Sequence, residues 1–435
     1  MSASTPHRYG LRTAALLVVA SMVGTGVFTT SGILLAELRS VPAVLAVWIV
    51  GGLVALAGAL SYAELAAQLP ESGGEYTLLA RAFHPAVGFT AGVVSIVAGF
   101  AAPIAACAIA FARYLDAAFP GLVPELPAAI AIVVLTTAVH VGHLRSGARF
   151  QDALTIAKIV LVAIFVFGGA TEGDLSRLAE PLDPATLVSP PFAIGLVLVY
   201  FAYTGWNAAA YVAGEIERPA RTLPLALLLG TAGVTALYVG INAVLLASAP
   251  RAELEGVVEI GAVAATHLFG ATAGRVLAAV IALGLVSTIG AFVVTGVRVY
   301  DAIGRDHPAL AFLARRNAGG SPVVALLVQA GLALLMVATA SFETLLAAVG
   351  FTLSIASGLT VIGVAIVRAR HPERPRPYRV PLYPITPLFF VIVMIWTVYE
   401  SILYARAIAL FGVATIGLGL LGYFVLSAKN RANPA

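Results

Sequence analysis

Apolar residues run along this chain in long blocks, and charged residues are confined to the gaps between them. Stretches without Asp, Glu, Lys or Arg occupy 13–36, 41–63, 85–112, 126–144, 159–171, 192–214, 222–250, 276–297, 321–342, 344–367, 380–399 and 407–428. The fifth block extends toward 153 across Lys158. Nearly all reach the ~20 residues that a helix needs to cross ~30 Å of hydrocarbon. A membrane strand would be about half as long and would alternate in polarity. The pattern therefore predicts an all-α polytopic membrane protein of twelve transmembrane helices.

Composition agrees. Only 11% of the 435 residues are charged and 60% are hydrophobic, against about 25% charged in a soluble domain. The first block is read as a span and not as a cleaved signal, because its 24 uncharged residues exceed the usual ~7–15-residue apolar core. Basic residues set the orientation. The N-terminus and the loops after even-numbered spans hold 18 of the 25 Lys and Arg residues, and the other loops hold 6. That bias places both termini in the cytoplasm. The net charge of +4 is thus topological, and no nucleic-acid partner is expected. The chain reads as one membrane domain, 1–435. Its 251–275 loop is expected to hold a short amphipathic helix, either a lid or a surface-lying element. The five arginines of 368–381 are expected at the inner headgroups.

Two spans carry polar breaks. Ser21-Met22-Val23-Gly24-Thr25-Gly26-Val27-Phe28 interrupts the first, and Phe201-Ala202-Tyr203-Thr204-Gly205-Trp206-Asn207 interrupts the sixth. Close packing by small residues is one reading of either motif. Breaks at corresponding places in two halves point instead to a transport site. An unwound helix frees backbone groups that only a cavity or ligand can satisfy. Freed N–H groups suit a carboxylate, and freed carbonyls suit an ammonium. Those are the two ends of a zwitterion.

At these residues the chain resembles the amino acid–polyamine–organocation (APC) superfamily, closest to L-type amino acid transporter-like bacterial permeases. The resemblance is carried by Gly24 to Phe28, Tyr62 to Leu65, Pro70 to Tyr76, Phe201 to Asn207 with Glu215, Pro219 and Pro224, Arg298 to Asp306, and Arg376 to Pro381. It implies a LeuT-like 5+5 inverted repeat plus two C-terminal helices, with repeats at about 12–171 and 190–368 and extra helices at about 380–428. It also implies that cargo carboxylate meets the Thr25 and Gly26 amides beside Gly24. The cargo ammonium would meet the carbonyls of Met22, Phe201 and Thr204, with Ala202 and Asn207 beside them. Phe201 would gate the site from outside. Asn207 stands where some cationic and antiporting members have glutamate, and Thr204 stands where bulky-substrate members have glycine. Both departures favour small neutral amino acids. An amine, polyamine or cationic amino acid permease is the alternative.

Lys158 lies within an apolar span, where a charge is costly and functional by default; snorkelling to the headgroups is the plainer reading. By resemblance it replaces a sodium ion, touching Ala20 or Ser21 and Ser287 and Thr288, so transport is expected to be sodium-independent. Exchange and proton coupling both stay open. Glu64 is either paired with an arginine or part of an inner gate. No cofactor and no metal are expected, since His140 and His143 lack clustered ligands. His-Glu-x-x-His and Gly-x-Ser-x-Gly are both absent from the sequence, so an enzyme is not expected. Membrane lipids are the expected surroundings. The 117–125 loop has no cysteine, so no covalent partner subunit is expected.

Overall fold

The computed structural model describes residues 9–24, 26–69, 74–142, 160, 162–213, 216–317 and 320–432. Thr25, Lys158, Glu215 and the stretch from Pro70 to Gly73 lie outside the described residues. The principal helices of the first half are α1 (Leu11–Met22), α2 (Gly26–Leu38), α3 (Val41–Gln68), α4 (Gly74–Ala82), α5 (Pro85–Ala118), α6 (Glu125–Gly142) and α7 (Val162–Glu172). Those of the second are α8 (Pro190–Tyr203), α9 (Ala208–Tyr211), α10 (Pro219–Ser248), α11 (Ile260–Phe269), α12 (Ala271–Asp306), α13 (Val323–Thr339), α14 (Phe342–Arg370), α15 (Ile385–Tyr404) and α16 (Arg406–Ala432). No strand occurs among the described residues beyond one isolated bridge, Tyr9 to Ile216.

Among the described residues, seven helices are individually long and apolar enough to cross a membrane, namely α3, α5, α10, α12, α14, α15 and α16. The bent pair α1–α2 makes an eighth. The shorter apolar helices α6, α7, α8 and α13 fall in the four remaining uncharged blocks. Proline shifts one boundary: α15 starts only at Ile385, because Pro381 and Pro384 cannot donate to a helical ladder. Serines set others. Ser40 caps α3 through Ala43 N (3.3 Å) with Pro42 in the first turn, and Ser341 caps α14 through Thr344 N (3.2 Å).

The core runs where α5 packs on α12 and where α10 packs on both α1 and α3. Alanine dominates these contacts: Ala102, Ala105, Ala106, Ala108 and Ala110 of α5 are all fully buried. Between membrane helices no hydrophobic force drives association, so small side chains that let backbones approach supply the packing energy. α15 and α16 sit outside, exposing Leu388, Ile392, Ile395, Leu410 and Leu421 to what must be lipid.

Of the 368–381 arginines, three are engaged by protein and not held only at a lipid surface. Arg370 donates to Ala82 O (3.1 Å) and Arg376 to His371 O (3.2 Å). Arg368, in the last turn of α14, meets the fully buried Glu64 of α3 in a two-pronged pair (2.7 and 2.6 Å). Val380 N donates to the same carboxylate (2.7 Å), and the Arg368 guanidinium stacks 3.6 Å over the Tyr383 ring. One carboxylate thus ties α3, α14 and the 376–383 loop together.

Removing one partner of a buried pair costs about 3–5 kcal/mol, because the other charge stays buried alone. Glu64→Gln should therefore lower the thermal unfolding midpoint in detergent by several degrees. Glu125→Gln, at the exposed Arg113 pair, should barely move it.

Candidate functional site

Both predicted breaks exist. α1 ends at Met22, α2 begins at Gly26, and the two are bent by 42°. α8 ends at Tyr203, the chain turns through 204–207, and the short α9 follows. Gly205 in this turn has φ +99°, and a Cβ there would lie 2.6 Å from the Ser21 carbonyl oxygen. A Cβ on Gly26 would fall 2.5 Å from that of Ala202. The two interruptions therefore abut each other, and at both crossings only glycine leaves room.

Beside them lies a cavity of about 960 Å³. Its deep end is formed by Ala20, Ser21 and Gly24 of the first break and by Thr204, Gly205, Trp206 and Asn207 of the second. Tyr200, Ser95 of the α5 π turn, Glu75 and Tyr211 line it further, and Thr288 of α12 faces Gly24 at 3.8 Å. The cavity widens toward Arg81, Arg298, Arg305 and His307, where the 36-residue α12, about 54 Å long at 1.5 Å per residue, outreaches a bilayer. Burial holds the His307 imidazole below its ordinary value, against the opposing pull of Asp306.

The opposite side is shut. The loop before α11 lies on α2, where Gly256 N donates to Gly32 O (2.8 Å) and Arg251 to Arg39 O (2.6 Å). Tyr114 donates to Phe28 O (2.6 Å) and accepts from Gly261 N (3.3 Å), stitching α11 down. Ile260, Gly261, Ala262, Ala264 and Ala265 of α11 are buried. The 251–275 segment is packed into the bundle and does not merely lie on the surface.

Of the residues singled out by sequence, Ala20, Ser21, Gly24, Thr204, Asn207 and Thr288 line the cavity. Met22, Gly26, Phe201, Ala202 and Ser287 are buried next to it. Phe201 is 4% exposed, on the closed side. Glu64 sits in its arginine pair, away from the lining. Thr25 and Lys158 are outside the described residues. The carbonyls expected to be free are partly engaged. Phe201 O accepts from both Thr204 N (3.0 Å) and Thr204 Oγ1 (2.7 Å), which fills its two lone pairs. Met22 O accepts from Tyr238 (2.5 Å), whose hydroxyl also lies 3.1 Å from Ala202 O.

Sequence reasoning missed Tyr238, which bridges the ends of both broken helices from α10. Nothing local marks it among the aromatics of an apolar block. Glu75 was read only as part of a motif, yet it is 5% exposed and faces the cavity. A carboxylate twelve residues beyond the end of the 41–63 block was the available signal.

A large cavity lined by two helix interruptions within a bundle of apolar spans is the architecture of a membrane permease. The chain belongs to the amino acid permease family, whose model matches residues 9–418. It is 30% identical to the large neutral amino acids transporter small subunit 2 of Homo sapiens, covering 94% of this chain and 80% of that one. It is 27% identical to the b(0,+)-type amino acid transporter 1 of Mus musculus, over 97% and 88%. With the serine/threonine exchanger SteT of Bacillus subtilis it shares 29% identity, over 88% of each.

Two substitutions test this geometry. Gly205→Ala forces a side chain into a left-handed conformation costing about 1–2 kcal/mol, and into Ser21. It should cut transport more than tenfold in protein that still reaches the membrane, whereas Gly233→Ala, with nothing within 4 Å, should be neutral. Tyr238→Phe leaves a helix-end carbonyl without its donor, worth about 1–3 kcal/mol. It should lower cargo uptake and thermal stability together, read by flux and by melting.

Proposed function

We propose that the chain is a secondary transporter that moves small neutral L-amino acids across the cytoplasmic membrane by alternating access. In this reading α1–α2, α8–α9 and the ten other apolar helices cross the bilayer twelve times, with both termini in the cytoplasm. The observation that carries the reading is the abutment of the two helix breaks at the blind end of the cavity. The arginine-rich mouth then faces the cytoplasm, and the α11 lid faces outward.

The cargo carboxylate is assigned to the N-terminal amides of α2 with Gly24, Thr25 and Gly26, where unpaired N–H groups carry partial positive charge. The ammonium is assigned to the carbonyls of Met22 and Thr204, since the Phe201 carbonyl is taken in this conformation. Phe201 stands between the site and the lid as the outer gate. Asn207, where some cationic members have glutamate, supplies no charge for a cationic side chain. That supports neutral over cationic cargo, as the relatives named for neutral amino acids and for serine and threonine do. Lys158 is assigned the place of a coupling ion, beside Ser21 and Thr288, which share the cavity wall with Gly24.

No disulfide-linked partner is proposed, although one relative's name marks it as a small subunit. The chain's single cysteine, Cys107, is fully buried in α5 and out of reach of an external thiol. The test is uptake of labelled amino acids into proteoliposomes, with sodium and pH gradients varied separately. Alanine or serine should enter at least tenfold faster than lysine, arginine or putrescine, at a rate unchanged when NaCl replaces choline chloride. Equal uptake of lysine, or a steep rise with sodium, would refute the assignment.

A further inference from the structure

Glu75 occupies the second position of α4, behind Gly74, whose φ of +56° and contact with the Tyr211 ring exclude any side chain there. That close approach brings the carboxylate onto the segment after the second break. Oε1 accepts from Tyr62 (2.9 Å) on α3 and from Asn207 Nδ2 (2.5 Å), and Oε2 accepts from Tyr211. Tyr62 is itself braced edge-on against Trp206, with ring centroids 4.7 Å apart. α4 packs on α5 and α14 and Tyr62 holds Glu75 from α3, so Glu75 is fixed from the scaffold side while its other two partners, Asn207 and Tyr211, belong to the interrupted helix.

An ionised carboxylate only accepts hydrogen bonds, whereas a carboxamide offers one accepting and one donating end. Glu75 can therefore bind Asn207 in one orientation only, amide nitrogen toward the carboxylate. The carboxamide oxygen is left to the cavity that Asn207 lines. Thr204 has spent its proton on the Phe201 carbonyl, so its hydroxyl oxygen also turns only lone pairs outward. In the wall beside the second break, the Asn207 and Thr204 side chains thus both turn acceptor oxygens toward the cavity.

We propose that Glu75 is a positioning residue for transport: by orienting the Asn207 carboxamide it makes this wall select cargo whose side chain carries a hydrogen-bond donor over isosteric cargo without one. The inference rests on the amino acid reading above and deepens it to a property of the cargo side chain. Glu75 itself does not touch cargo; Asn207 does.

The test compares serine with alanine, and threonine with 2-aminobutyrate, as competitors for labelled uptake into proteoliposomes. Wild-type protein should favour the hydroxylated member of each pair roughly three- to tenfold in KM, the worth of one hydrogen bond. Glu75→Gln can donate to Asn207 and let its carboxamide turn round, so the preference should fall to about one while the maximal rate changes less. Tyr211→Phe, which leaves the Asn207 contact in place, should retain the preference. In an Asn207→Ala background Glu75→Gln should have no further effect on the ratio, as two residues acting through one contact require. If Glu75→Gln does not reach the membrane, Glu75→Asp withdraws the charge by one methylene and should lower the same ratio. Wild-type protein that transports all four compounds without discriminating, or a Glu75→Gln ratio equal to wild type, overturns the inference alone. Wild-type protein that transports none of them overturns the amino acid reading and this inference with it.

Discussion

Hydrocarbon offers no hydrogen bonds, so a helix that stops halfway through a membrane must find partners for every backbone group it releases. This chain stops two helices at one depth and sets the stops against each other. Gly205 lies on Ser21 and Gly26 on Ala202, close enough for the released groups to share one polar pocket and one bridging hydroxyl, that of Tyr238. Other features answer to this arrangement. The Thr204 hydroxyl turns back onto the Phe201 carbonyl, Asn207 is held by Glu75, and the groups left over face a cavity where a dipolar solute can satisfy them.

The molecule is asymmetric about that depth, and the asymmetry is built from backbone contacts on one side and charged side chains on the other. On the closed side, Gly256 bonds to a carbonyl of α2 and Arg251 to that of Arg39 just beyond it, and Tyr114 joins α2 to α11. On the open side, Asp301 is paired with Arg305 and Arg316, and Tyr76 donates to Asp306. Arg305 and Arg316 are exposed and can trade these contacts for hydration at little cost, whereas Asp301 itself is buried. The Glu64–Arg368 clamp differs from them. It is buried, two-pronged and supplemented by a backbone N–H, so it holds α3 to α14 as a fixed unit around which other helices can move.

The family relationship gives this architecture its chemistry. A relative named for exchange of serine and threonine and one named for large neutral amino acids both align over most of the chain. In the cavity wall Asn207 is joined to Glu75, and Asn207 and Thr204 each keep an oxygen free to accept from a solute.

Much of the fold could be read from residue order alone. Long uncharged blocks mean membrane helices because burying so many apolar residues in water-soluble form is impossible at 11% charge. The interruptions at Gly24 and Gly205 were legible because glycine and polar residues at mid-span are costly unless used. The short helices α8 and α13 were legible as blocks but not in length, since α8 stops at the break after Tyr203 and α13 starts only after Pro322. Tertiary structure alone decided that the two breaks touch, that Tyr238 reaches the end of the first and that Glu75 turns toward Asn207. Those facts depend on contacts between residues 132 to 216 positions apart, and hydrophobic pattern carries no record of which polar group meets which across such distances.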